Sequence, residues 1–174
     1  MSGARDRDRE MLLALDREQL VDLFFHKIRN IWRVDGLYFL GIEQRVGTGA
    51  ATDVDTECWR TMAKLEAQSL KLLLGLGAGL DDLARGLLLT SWALDHEAKE
   101  LEQRPDEVVF RVIDCRTQTT RLKKGLAEFP CKSVRLGYLE AFAESFGATV
   151  ECRRCPPGPH EGPVWCEWAF RERC

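Results

Sequence analysis

The chain has 174 residues, 45% hydrophobic and 30% charged, with a formal net charge of −3. That length suits one domain with a real core, and the composition excludes a wholly disordered or collagen-like chain. The slight acidity gives no electrostatic reason to expect nucleic acid or an anionic membrane surface as a partner.

The opening "MSGARDRDRE" is charged and has no apolar signal core, so residues 1–15 read as a flexible N-terminal segment and residues 16–174 as a single domain. The longest apolar candidate, "SLKLLLGLGAGLDDLARGLLLTSWAL", is interrupted by Lys71, Asp81, Asp82 and Arg85, well inside the roughly 20 apolar residues that a membrane helix needs. No membrane span and a cytoplasmic location are the expectation, and thiols stay reduced in that compartment. The cysteines at 58, 115, 131, 152, 155, 166 and 174 therefore read as metal ligands, catalytic thiols or small buried hydrophobes rather than as a disulfide framework.

Residues 16–90 form the helical part. From Asp16, apolar residues recur at 20, 23, 24, 28, 31, 34, 37, 38 and 42, which is helical spacing. Asp16 with Gln19 makes a capping pair, and the helix is expected to bend or break near Asp35–Gly36 and to end at Gly47 to Gly49. A second helix starts after Thr52 or Asp55, with Trp59, Met62, Leu65, Leu70 and Leu73 as its buried stripe, and glycines 75, 77 and 79 stop it. Asp81 opens a third, short helix.

Residues 91–174 mix strands with helices. Val108, Phe110 and Val112 alternate as a strand does, and "RPDE" before them reads as the turn of a hairpin whose first strand lies in "DHEAKELE". Two helices follow, in "RTQTTRLKKGLAE" and "SVRLGYLEAFAESFG", with Pro130 and Cys131 at the break and Gly147 as the stop. The segments "ATVECRRC" and "PVWCEWAFRE" read as a final antiparallel pair joined by the proline-rich "PPGPHEG".

That last hairpin concentrates ligand-type residues. A register with Cys155 opposite Pro163 also sets Cys152 opposite Cys166, and opposed residues stand roughly 5 Å apart, a gap that zinc–thiolate bonds can span. Cys131 or Cys115 could close such a site, with His160 or Glu151 as further candidates. The metal set is therefore Cys131, Cys152, Cys155, His160 and Cys166, with zinc as the cofactor and a structural role favoured by so many thiolates. Trp165 and Trp168 beside Cys166 could wall the metal from water. Cys115 precedes a helix start, where the dipole would lower its pKa, so it is the candidate reactive thiol.

Asp35, Glu43 and Glu66 lie in stretches otherwise dense in apolar residues and are the candidate general bases, although a solvated helix face explains them too. Arg121, with Lys124 near it, is the candidate for binding a substrate carboxylate. His26 and His96 read as helix and strand residues without a special role. "GLGAGL" follows a helix rather than a strand and is a helix-breaking turn, and no phosphate loop or nucleophile elbow is present.

Two resemblances rest on these residues. The order "EFPCKSVRLGYLEAFAESFGATVECRRC" and then "WCEWAF" resembles the C-terminal half of 4-vinyl-reductase-type domains over roughly residues 107–170: a cysteine before a helix with a small residue, a strand ending E-x-x-x-C, and a last strand opening C-x-W. Those positions are Cys131, Gly137, Glu151 with Cys155, and Cys166 with Trp168. The longer loop carrying His160 leaves the choice between Cys152 and Cys155 open. From "DGLYFLGIEQ" through "DCRTQTTRLKKGLAEFPC", roughly residues 17–172, the chain resembles a bacterial family related to L-2-amino-thiazoline-4-carboxylic acid hydrolase.

The resemblances imply an α+β domain whose N-terminal helices pack on a small twisted antiparallel sheet with a Cys-rich C-terminal hairpin, enclosing a pocket for a small molecule. The implied function is a zinc-binding, small-molecule-binding protein that hydrolyses a C–N or C–S bond in a small heterocycle or amide. A non-enzymatic ligand-sensing module and a thiol-dependent redox protein are the alternatives. A homodimer formed through the N-terminal helices is a further expectation.

Overall fold

The computed structural model describes residues 3–158 and 162–173. Among these residues it is an α+β fold of seven helices and one four-stranded antiparallel sheet. The N-terminal stretch expected to be flexible carries helix α1, Ala4–Leu13, which buries none of its residues.

Helix α2, Arg17–Val46, begins at the expected capping box: Asp16 Oδ1 accepts from Gln19 N at 2.8 Å and Gln19 Oε1 accepts from Asp16 N at 3.1 Å. It runs through Gly36 without the expected interruption, because one glycine costs a helix only about 1 kcal/mol, too little to break 30 residues anchored at both ends. Gly47, at φ 92°, turns the chain directly into α3, Thr48–Leu74, which therefore starts several residues before the expected position.

The buried stripe of α3 also differs from the expectation. Ala51, Asp55, Trp59, Ala63 and Ala67 are buried, whereas Met62, Leu65 and Leu73 are exposed. Small residues at a spacing of four let α3 lie close to α7, Cys131–Glu144, the most extensive helix–helix contact in the fold. Gly137 of α7 completes the approach, since a Cβ there would stand 3.3 Å from the Arg60 guanidinium.

Gly75 ends α3 in the left-handed conformation at φ 65°. Helix α4, Leu80–Leu88, then buries Leu80, Leu83, Ala84, Gly86 and Leu87. Helix α5, Ser91–Asp95, is a single buried turn capped by the Thr90 hydroxyl, which accepts from Ala93 N at 3.1 Å. The expected hairpin follows as β1, Lys99–Gln103, and β2, Val108–Val112. Helix α6, Arg116–Lys123, leads into α7, and β3, Ala148–Arg154, and β4, Cys166–Glu172, close the fold.

The strand order is β1-β2-β4-β3. Val108, Phe110 and Val112 pair with Phe170, Trp168 and Cys166 and bury their side chains in the core. On β3, Cys152 stands opposite Trp168, with a bulge between Cys152 and Arg154. The register that would oppose Cys152 to Cys166 is therefore not formed: Cys152 is set two residues along β4 from it, opposite Trp168, and the bulge at Cys152/Arg154 shifts the pairing beyond that point. The strands also carry an ion-pair lattice, in which Arg111 meets Glu167 at 2.6 Å and Glu102 at 3.1 Å, and Arg171 meets Glu151 at 3.0 Å. No helix is long and apolar enough to cross a membrane among the described residues.

Gly86 is the tightest point of the α4 packing, where an added Cβ would stand 3.0 Å from Phe146 Cζ and 3.3 Å from Leu76 Cδ1. Gly86→Ala should lower stability by about 1–3 kcal/mol in chemical denaturation, the usual cost of overpacking a filled core. An unchanged midpoint would contradict this packing.

Candidate functional site

A cavity of about 440 Å³ opens between α2, α5, α6 and the start of α7. The fold delivers its wall residues at helix spacing. Arg135 follows Cys131 by one turn of α7, and Trp32, Asp35 and Phe39 recur along one side of α2.

Arg135 is 3% exposed, and its guanidinium is ringed by aromatic groups: Trp92 at 5.0 Å, Trp32 at 5.2 Å, Trp59 at 5.3 Å and Tyr138 at 4.9 Å to the ring centroids. The cation is thus solvated by π-faces from four helices. Its Nε and Nη1 have no hydrogen-bond partner among the described residues. Two rings of this cage are themselves stacked, Trp32 on Trp59 at 4.6 Å, and each indole N–H is committed, Trp32 to the Ser91 carbonyl at 3.0 Å and Trp59 to Asp35 Oδ1 at 2.9 Å.

Asp35 and Asp55 both line the wall, close enough that each carboxyl acts on the other. Burial pushes Asp55 up to about 7, with the neighbouring Asp35 charge adding to the rise. Burial raises Asp35 as well, opposed by the Trp59 indole hydrogen bond and the positive charge of Arg135. Asp55 Oδ2 has no hydrogen-bond partner among the described residues.

His96, 7% exposed, also lines the cavity. Burial and then Arg135 hold it down to about 3, so it is neutral at physiological pH. Its Nδ1 lies 3.3 Å from the Asp114 carbonyl, which can only accept, so the proton sits on Nδ1 and Nε2 carries the lone pair.

The expected site residues divide. Asp35, Cys115, Arg121, Cys131 and Cys166 all line this cavity. Glu43 and Arg121 saturate one another in a bidentate pair at 2.9 and 3.0 Å, and Arg121 Nε donates to the Ala127 carbonyl, so the two form a brace between α2 and α6. Glu66 accepts from Ser91 N and from the Tyr138 hydroxyl, both at 2.6 Å, and borders a second, apolar cavity of about 680 Å³ between α2 and α3. Asp35, Phe39 and Asp55 border both cavities.

The thiols gather at the start of α7. Lys132 N donates to the Pro156 carbonyl at 2.8 Å and ties the chain beyond β3 to that helix end, bringing Cys155 to Cys131. Cys155 lies close enough to Cys131 and Cys166 for both to raise its thiol. The Cys155 hydrogen bond and the nearby Arg135 lower Cys131 to about 7. Cys115 behaves oppositely to the expectation: it caps α6, but burial pushes its thiol up and overrides the helix-end effect. Cys152 is half-buried and raised by burial. Among the described residues, no three or more His, Cys, Asp or Glu side chains are arranged to hold a metal ion, and His160 lies outside those residues.

Sequence reasoning missed Arg135 and Asp55. The signal was present: each is a lone charge on an apolar helical stripe, Arg135 beside Val134 and Tyr138, and Asp55 between Ala51 and Trp59.

The fold and cavity define an α+β domain with a buried guanidinium and a carboxyl pair at a small-molecule-sized cavity. The chain belongs to DUF6125, a family of unknown function, whose profile matches residues 13–172. No curated protein matches it.

The raised Asp55 has a defined consequence for stability. Between its ordinary value of 3.8 and about 7 the folded chain holds a proton that the unfolded chain releases, so the favourable contribution is complete at the acid end and is lost as pH rises through about 7. Asp55→Asn, which stays neutral, should therefore gain stability relative to the wild type as pH rises across this window. A constant difference from pH 4 to 8 in urea titrations would contradict the raised Asp55.

Proposed function

We propose that the chain is a hydrolase of a small heterocycle or amide, acting in the cavity between α2 and α7. The observation that carries this reading is the Asp35–Asp55 carboxyl pair on the cavity wall, both raised by burial and Asp55 to about 7, where a carboxyl can give or take a proton near neutral pH. Such a pair can run both halves of a hydrolysis. The ionised carboxylate takes a proton from water as its oxygen attacks the electrophilic carbon. The protonated partner then gives its proton to the departing nitrogen or sulfur, so a C–O bond forms as the C–N or C–S bond breaks. Neutral His96 offers a lone pair for orienting that water. The convergence of acid and base groups supports an enzyme over a ligand-sensing module, which needs only an apolar pocket. The upward shift of Cys115 weighs against a redox role for that thiol.

The sequence resemblance to the L-2-amino-thiazoline-4-carboxylic acid hydrolase type suggests the first probes. Thiazolines, cyclic amidines and small amides should be followed by mass spectrometry for addition of one water. Asp55→Asn and Asp35→Asn should each lower turnover by about 100-fold or more, as loss of an acid or base group does. Turnover untouched in both variants would overturn the assignment.

A second reading concerns the thiols and is favoured by the closeness of Cys155 to Cys131 and Cys166, which as they stand do not form a three-ligand group among the described residues. Soft thiolates suit zinc, and Cys131, Cys155 and Cys166 with Cys152 or His160 are the residues that would hold it. Bound there, the metal would fasten the last hairpin to α7 rather than act on substrate. Elemental analysis of protein purified without added metal should give about one zinc per chain, lost with stability in Cys155→Ser and Cys166→Ser. Metal-free wild-type protein would contradict it.

A further inference from the structure

We infer that Arg135 is the anion receptor of the cavity, and that the ligand is a compact carboxylic acid with a flat, apolar body. This rests on the reading of the cavity as the substrate site, and it names the substrate class.

The guanidinium's charge is balanced by its surroundings, but its donors are not. Asp35, Asp55 and Cys131 lie close enough to influence it electrostatically, Cys131 through a side-chain hydrogen bond as well, yet Nε and Nη1 have no hydrogen-bond partner among the described residues. Buried polar groups are otherwise almost always paired. A carboxylate can dock in plane on either the Nε–Nη2 edge or the Nη1–Nη2 edge, and each edge contains one of the two unpaired nitrogens. The four rings stand about the cation at 4.9–5.3 Å, so its charge is met by π-faces while the N–H donors of its edges are what a carboxylate would engage.

The wall charge points the same way. Arg29, Arg33, Arg116, Arg121, Lys124 and Arg135 line the cavity, against only Asp35, Asp55 and Asp95, although the chain as a whole carries −3. Arg29 is committed to Asp95 at 2.8 Å and Arg121 to Glu43 at 2.9 Å. Arg33 and Lys124 form no ion pair among the described residues, so they remain to draw an anion inward. The carboxyl pair disfavours a dianion beside it, which selects a carboxylate over a phosphate. Phe39, Leu40, Trp92 and Phe129 provide apolar wall for the rest of the molecule.

Calorimetric titration tests this with benzoate, pyrrole-2-carboxylate and thiazole-4-carboxylate, each against its primary amide, and with inorganic phosphate. The wild type should bind at least one acid about 10- to 100-fold more tightly than its amide, the range for a charged hydrogen-bonded contact, and more tightly than phosphate. Arg135→Met and Arg135→Lys should lose that preference with the helical circular dichroism retained, and exposed Lys124→Gln should weaken acid binding by about 2- to 5-fold. Amides binding as well as acids, phosphate binding best, or no acid binding at all would each overturn the inference, and these wild-type comparisons decide it even if the Arg135 variants do not fold. Acid binding lost in Arg135→Met, with no probe hydrolysed by the wild type, would leave this inference standing and remove the hydrolase reading. Hydrolysis that survives Arg135→Met on acids and amides alike would do the reverse.

Discussion

Burying a guanidinium removes it from water at a cost of several kcal/mol, and in this chain the surroundings that offset the cost also define the fold. Trp32 comes from α2, Trp59 from α3, Trp92 from α5 and Tyr138 from α7. Contacts of this kind contribute about 0.5–2 kcal/mol each, so the Arg135 cation ties four helices around one point. The same rings fix their neighbours: the Trp59 indole holds Asp35, the Trp32 indole holds the start of α5, and the Tyr138 hydroxyl holds Glu66. Packing and chemistry therefore share one set of residues.

Two buried ion pairs frame this centre. Arg29–Asp95 joins α2 to α5, and Arg121–Glu43 joins α2 to α6. A buried pair adds little net stability over a well-packed apolar one, but losing one partner leaves an uncompensated charge. Their effect here is on shape, holding α5 against the middle of α2 and α6 against its C-terminal end, on either side of the cavity. The close contact of α3 with α7 through Ala63, Ala67 and Gly137 brings Asp55 to the same wall from the other side.

Much of this architecture was legible in the sequence where local chemistry decides it. The Asp16–Gln19 box, the Gly47 and Gly75 stops, the β1–β2 hairpin and the final strand pair follow from capping, left-handed glycine and alternation. Features set by tertiary contact were not. The large residues of α3 suggested the wrong buried stripe, because close helix packing selects Ala51, Ala63 and Ala67 instead. The β3–β4 register, with Cys152 opposite Trp168 and a bulge after it, was not fixed by the hairpin sequence. Helix-end reasoning chose Cys115 as the activated thiol, whereas burial reversed it and the cation one turn away favours Cys131. Asp35 was identified, but its partner Asp55 lies 20 positions further on and Arg135 a further 80, separations that only the assembled helices close.

The most direct test of the central claim is the Arg135 side-chain N–H signal in nitrogen-15 NMR, assigned by its absence from Arg135→Lys, during titration with thiazole-4-carboxylate and with thiazole-4-carboxamide. A buried guanidinium that receives the ligand's carboxylate should show its Nε–H resonance moving downfield with the acid, saturably, and staying in place with the amide. A resonance unmoved at saturating acid would mean that the cation serves the packing alone and that the ligand is held elsewhere.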